Sequence, residues 1–241
     1  MATDLLLAIE TSHLQGSVAL ADGQGVLGER ALAAQPRNAA ALIPAIDELV
    51  RAADRRLRDL AVCAYSCGPG SFTGLRVAAT LAGMLQSVTG CRVVAVPTLA
   101  VIAENAGREP QNPGHLAVML DARRGEVFGG LFQRSDEGWS ATSDVVVVEP
   151  GEWLAGLPRP LWVTGAGVAV HAAAVVAAGA TVLEECFWLP RAENVVVLGR
   201  RLAAEGRYCA PEEIRPHYGR PPACEEVYEQ RRAAARQRRG E

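Results

Sequence analysis

Residues 61–88 read AVCAYS, then CGPGS, then FTGLRVAATLAGMLQSV: a compact apolar run, a turn built on glycine and proline, and a long helix made largely of small residues. The order is strand, glycine turn, helix, and no other stretch restricts the fold as much. Glycine permits positive φ in the turn, Ser71 can cap the helix that follows, and Arg76 lies about one turn inside it. A helix start of this kind suits an anion. It also suits close packing, because Gly74, Ala78, Ala79, Ala82 and Gly83 leave a flat face for another helix.

The remainder of the first half fits around that unit. Leu5–Glu10 and Gly16–Leu20 read as strands, the Asp-Gly turn at 22–23 follows, and Val26–Ala33 makes a third strand of an antiparallel meander. Leu42, Ile43, Ile46, Leu49, Val50 and Leu57 recur at helical spacing, and Pro44 must start that helix or kink it. Arg92–Val96 is a further strand closed by Pro97, with Thr98 as the cap of a short helix to about Asn105.

Gly107–Gly114 carries two prolines and two glycines without periodicity and is the best linker. A second unit follows, with strands at His115–Leu120, Gly125–Phe132, Val145–Val148 and Leu161–Thr164. Gly165-Ala166-Gly167 then opens an alanine and valine helix running to Ala178, and Asn194–Ala204 is another helix. The division expected is 1–107, 108–224 and an arginine-rich tail at 225–241. The two larger parts share a coarse pattern of hairpin, strand, glycine turn and helix.

Composition narrows the chemistry. The 241 residues are 49% apolar and 21% charged, with no apolar run of membrane-spanning length, so a soluble globular protein is expected. The N-terminus lacks a basic region ahead of its apolar run, and a cytoplasmic location is expected. There is no lysine anywhere, which removes P-loop and Schiff-base chemistry. Six cysteines form no CxxC pair and read as reduced, mostly buried thiols. A net charge of −3 argues against a surface that binds nucleic acid as a whole.

Ile9-Glu10-Thr11-Ser12 is the first chemical candidate. An acid at the end of a first strand, followed by hydroxyl residues in a hairpin turn, is how actin-like and sugar-kinase-like ATPases hold phosphate and magnesium. The same residues also make an ordinary hairpin. No two of the four histidines lie within a helical turn of one another, so a paired-histidine metal site on a helix is not available. No serine or cysteine has a histidine with a signalled partner, and no residue is assigned a catalytic or metal-ligating role.

GPGSFTGLR at 68–76, with AIETS at 8–12 and LDARRGEVF at 120–128, closely resembles the bacterial threonylcarbamoyladenosine biosynthesis proteins of the TsaB (YeaZ) family. The resemblance spans nearly the whole chain. It implies an α/β chain with a two-lobed ASKHA (actin, Hsp70, sugar kinase) fold, mixed sheets flanked by helices. It further implies a non-catalytic subunit that forms a heterodimer with TsaD, the enzyme that places threonylcarbamoyl on N6 of the adenosine beside the anticodon, with TsaE joining. On that basis the helices at 39–57 and 72–88 are expected to meet the matching helices of TsaD, or of a second copy in a homodimer. The expected contacts are Leu42, Ile43, Ile46, Gly70, Ser71, Phe72, Gly74, Leu75, Arg76 and Ala79. Any ATP or ADP and magnesium are expected to belong to the complex, with Glu10, Thr11 and Ser12 as the nucleotide candidates, and tRNA to be reached through the complex.

The chain departs from the family in two places. Glu10 replaces the usual aspartate, and Pro216–Pro222 replaces a tyrosine-leucine-arginine stretch expected to contact the partner. Two other readings of the residues stand beside this one. The first is an ATP-dependent small-molecule kinase using Glu10, Thr11, Ser12 and the Gly165-Ala166-Gly167 turn; the second is a plain dimerisation module.

Overall fold

The computed structural model describes residues 4–32, 38–108, 114–136 and 138–220. The arginine-rich tail and the middle of the proline-rich linker lie outside those residues. The first sheet is built from β1 (Leu5–Glu10), β2 (Ser17–Asp22), β3 (Gly25–Ala31), β4 (Leu60–Gly68) and β5 (Arg92–Pro97), in the order β3-β2-β1-β4-β5. The hairpin strands pair antiparallel, while β1, β4 and β5 run parallel. Parallel strands need a crossover, and α1 (Asn38–Ala52) and α2 (Phe72–Thr89) supply the two. Pro44 lies inside α1 rather than at its start.

Alternation along β1 divides the core. Leu5, Leu7 and Ile9 face α1 and α2, together with Ala78, Ala79 and Ala82 of α2. Leu6 and Ala8 face the opposite way, joined by Ala19, Ala21 and Ala64. Against that second face pack α3 (Thr98–Ala103) and α7 (Ala192–Ala204). Small residues let α7 come close: a Cβ on Gly199 would meet the Cβ of Ala64 at 2.6 Å.

The second sheet contains β6 (His115–Arg123), β7 (Glu126–Ser135), β8 (Gly138–Ala141), β9 (Val146–Val148), β10 (Leu161–Thr164) and β11 (Thr181–Val182). Its order is β11-β10-β6-β7-β8, with β9 also on β7. One face packs on α3 through Leu99, Ile102 and Ala103. The other is covered by α4 (Pro150–Ala155), α5 (Gly167–Val170) and α6 (Ala172–Ala177). The layers therefore run helix, sheet, helix, sheet, helix, as the α/β reading with mixed sheets flanked by helices requires.

The central helical layer is fixed by buried amides. Asn194 Nδ2 donates to the Val101 carbonyl (3.0 Å) and to Asn105 Oδ1 (2.8 Å), and Asn105 Nδ2 donates to the Leu189 carbonyl (2.8 Å). Ser17 Oγ accepts from the Ala192 amide at 2.9 Å, so a strand of the first sheet caps α7. Helix α7 follows the second-sheet elements in the chain yet packs on the first sheet. A division at residue 107 places it in the second unit by sequence order alone.

Two local expectations are corrected. Thr98 does not cap α3: Pro97 holds that position with extended backbone, and the buried Thr98 hydroxyl has no hydrogen-bond partner. The alanine and valine segment forms two short helices broken at His171. Ser71, in contrast, caps α2 as expected, its hydroxyl accepting from the Gly74 amide.

Candidate functional site

The β1–β2 hairpin and the glycine turn before α2 are joined into one clasp. Glu10 is completely buried; its Oε1 accepts from the Ser12 amide (2.6 Å) and the Ser12 hydroxyl (2.5 Å), and its Oε2 from the Ser66 hydroxyl. Thr11 Oγ1 donates to the Gly74 carbonyl (2.7 Å), and the Ser71 amide donates to the Ser12 carbonyl (2.7 Å). The glycines are demanded by this approach: a Cβ at Gly70 would lie 2.4 Å from the Ser12 oxygen, and one at Gly74 would lie 1.8 Å from the Thr11 oxygen. Burial raises the Glu10 pKa, and the three hydrogen bonds to its carboxylate offset this only in part.

The side-chain groups of these three residues are all engaged within the chain in this structure. Glu10 and Thr11 are bonded to groups of the clasp, and Ser12, bonded to Glu10, also lines the cavity described below. The Gly165-Ala166-Gly167 turn is similar: Cβ atoms at Gly165 and Gly167 would meet the Met119 carbonyl oxygen at 2.3 and 2.9 Å. There glycine allows α5 to pack against β6.

Beyond the clasp a cavity of about 610 Å³ opens between the sheets, with His13 and Leu14 on one wall, Thr73 at the start of α2, and Asp121 and Val170 across from them. His13 Nδ1 is buried without a hydrogen-bond partner, and burial lowers its pKa. Arg123, at the end of β6, and Arg124, in the turn that follows, are exposed.

The outer edge of α1 and α2 is different in kind. Ile43 is 60% exposed, Phe72 44%, Met84 55% and Val88 80%. A groove of about 260 Å³ runs between the two helices, floored by Leu42 and walled by Ile43, Val77, Thr80 and Met84, with Arg76 in its lining. Of the expected contacts, Ile43, Phe72 and Arg76 lie outward, and Gly70, Ser71 and Gly74 are half-buried in the clasp. Leu42, Ile46, Leu75 and Ala79 are buried in this chain's own fold. The flat face of α2 is turned inward: Ala78, Ala79 and Ala82 lie on the sheet beside the buried Leu75, Leu81 and Leu85, while Phe72, Met84 and Val88 point out. Met84 and Val88 went unnoticed in the sequence, although their four-residue spacing outside the core stripe is a signal that could have found them.

The segment 214–220 crosses from one sheet to the other beside α2. The His217 amide donates to the Cys67 carbonyl (2.6 Å), and Tyr65 Oη donates to the Arg215 carbonyl (3.2 Å). Tyr218 stacks on Phe72 with ring centroids 4.7 Å apart, and Arg220 pairs with Glu126. The described part of the divergent stretch, 216–220, thus meets α2 through Tyr218. Cys67 Sγ is 3.6 Å from His217 Nδ1, but burial pushes the thiol pKa up to about 12, so it stays protonated at neutral pH.

Comparison with known proteins agrees with this architecture. Residues 25–226 match the family described as TsaD, tRNA N6-adenosine threonylcarbamoyltransferase. The tRNA threonylcarbamoyladenosine biosynthesis protein TsaB of Escherichia coli (strain K12) is 29% identical over 225 residues, covering 88% of this chain and 93% of that protein. The TsaB of Bacillus subtilis (strain 168) is 30% identical over 169 residues, covering 69% and 72%. The solved structure of YeaZ from Pseudomonas aeruginosa superposes with a TM-score of 0.76 at 28% identity, covering 90% of this chain and all of that one. With the sheet order, the clasp and the α1–α2 edge in place, the chain belongs to the glycoprotease-like family that contains TsaD, and within it to the TsaB (YeaZ) proteins.

Proposed function

We propose that this chain takes part in the threonylcarbamoyladenosine modification of tRNA as a non-catalytic scaffold, docking TsaD through the outer edge of α1 and α2. The observation that carries the reading is the row of exposed apolar side chains at Ile43, Phe72, Met84 and Val88 around a groove, on helices whose other faces are buried. Apolar anchors at the centre of a patch are what a stable interface needs. Relatives named for this biosynthesis support the pathway. The inward engagement of Glu10, Thr11 and Ser12 supports a docking role over a catalytic one.

In this reading TsaD catalyses the transfer, TsaE joins the assembly, tRNA is met through the complex, and the work is done in the cytoplasm. Without TsaD the same edge pairs with a second copy. Nucleotide and magnesium belong to the complex rather than to Glu10, Thr11 and Ser12. The test is co-purification with TsaD from the same organism: Ile43→Asp is expected to abolish it while the melting temperature stays within a few degrees of wild type. Wild-type yield of the complex would overturn the reading.

A further inference from the structure

We propose that Arg76 is the recognition residue of the docking edge, and that the partner helix seated in the α1–α2 groove brings to it a carboxylate, one to two turns from the apolar side chain that fills the groove. The proposal rests on the docking reading above and names the chemistry that the partner must carry. Among the described residues the groove is lined by apolar side chains except for Thr80 and for Arg76, which is the charged one. From Arg76 to Met84 is two turns of α2, about 12 Å along the axis, which sets the spacing asked of the partner.

The guanidinium is held in place. Its Cζ lies 4.0 Å over the centre of the Phe72 ring, and its Nε donates to Tyr218 Oη at 2.8 Å. Tyr218 is stacked on Phe72, and the backbone bond from the His217 amide to the Cys67 carbonyl anchors the segment that carries it. An arginine fixed in this way loses less conformational freedom on binding, and its remaining N–H groups keep the planar fork that suits a carboxylate.

What this arginine lacks is an acid. Among the described residues no carboxylate pairs with it, whereas Arg30 and Arg51 near α1 reach Glu48 (2.8 Å) and Asp47 (3.0 Å). Packing on Phe72 also removes part of the Arg76 hydration, so a partner's carboxylate displaces less water there than at a free side chain. An oriented cation beside an apolar groove matches an amphipathic helix with one acidic position near its apolar stripe.

The experiment is titration calorimetry of the full chain with TsaD from the same organism at two or more salt concentrations. Arg76→Gln is expected to weaken binding roughly 30-fold or more at low salt and to flatten the salt dependence. Tyr218→Phe is expected to cause a smaller loss through freed motion of the guanidinium, and Arg76→Glu is expected to be rescued by a charge reversal at one acid of the partner helix. Melting curves of all three variants should overlay wild type. Wild-type affinity and salt dependence for Arg76→Gln, with binding abolished by Ile43→Asp, would overturn the proposal and leave the docking reading intact. Wild-type binding by both variants would overturn the docking reading, and the proposal with it. A third contrary outcome is weakened self-association of Arg76→Gln with unchanged affinity for TsaD, which would make a second copy the occupant.

Discussion

Two regions of the first lobe share helix α2 and use it in opposite ways. At its start and along its inner face, small residues and buried polar groups draw the hairpin, the glycine turn and the sheet together. Along its outer edge, Phe72, Met84 and Val88 are bulky, apolar and exposed. The difference teaches that small residues on a helix do not identify which side meets a partner. Here they bring the helix down onto its own sheet beside Leu75, Leu81 and Leu85, while Phe72, Met84 and Val88 remain outside.

The contrast can be broken by showing that inner positions leave stability unchanged or that outer ones control it. The largest effect is expected for Gly74→Ala, whose Cβ would sit 1.8 Å from the Thr11 carbonyl oxygen, a backbone atom that cannot move aside without opening the clasp. A loss of about 3 kcal/mol or more in urea unfolding is expected. Leu75→Ala follows, at about 3 kcal/mol, since the side chain is fully buried. Both belong to residues that the family resemblance places at the partner seam, and their packing within the chain makes them tests of folding as well. Ser71→Ala, which removes the cap of α2, is expected to cost about 1 kcal/mol.

A smaller effect tests the buried acid. Burial raises Glu10 above its ordinary value of 4.5, so the folded state favours the protonated form. That contribution is fully present below the unfolded pKa and is lost as pH rises through the folded one. The stability of wild type relative to Glu10→Gln is therefore expected to decline as pH is raised from about 4.5. A difference that stays flat with pH would remove the raised pKa from the account.

How much of this was legible in the sequence depended on how local the cause was. The strand at 60–68, the glycine turn, the Ser71 cap and the two crossover helices follow from residues within a few positions of one another. Thr98 misled because a threonine after a strand resembles a cap, while Pro97, with its fixed φ, took the capping position. The place of α7 on the first sheet was out of reach, since it depends on Gly199 meeting Ala64 across the chain. So was the stack of Tyr218 on Phe72, made by residues far apart in sequence. The hairpin residues were recognised, but their role turned on the direction of their hydrogen bonds. An acid followed by hydroxyl residues reads the same whether it faces a phosphate or its own backbone.

The most direct measurement of the central claim, that the outer edge docks and the clasp only folds, is the affinity for TsaD of Met84→Asp and Ser71→Ala beside wild type, with folded fractions matched by circular dichroism. Met84→Asp is expected to lose binding at unchanged stability, and Ser71→Ala to bind as wild type despite its lower stability. Wild-type binding by Met84→Asp, or binding lost in a folded Ser71→Ala, would contradict it.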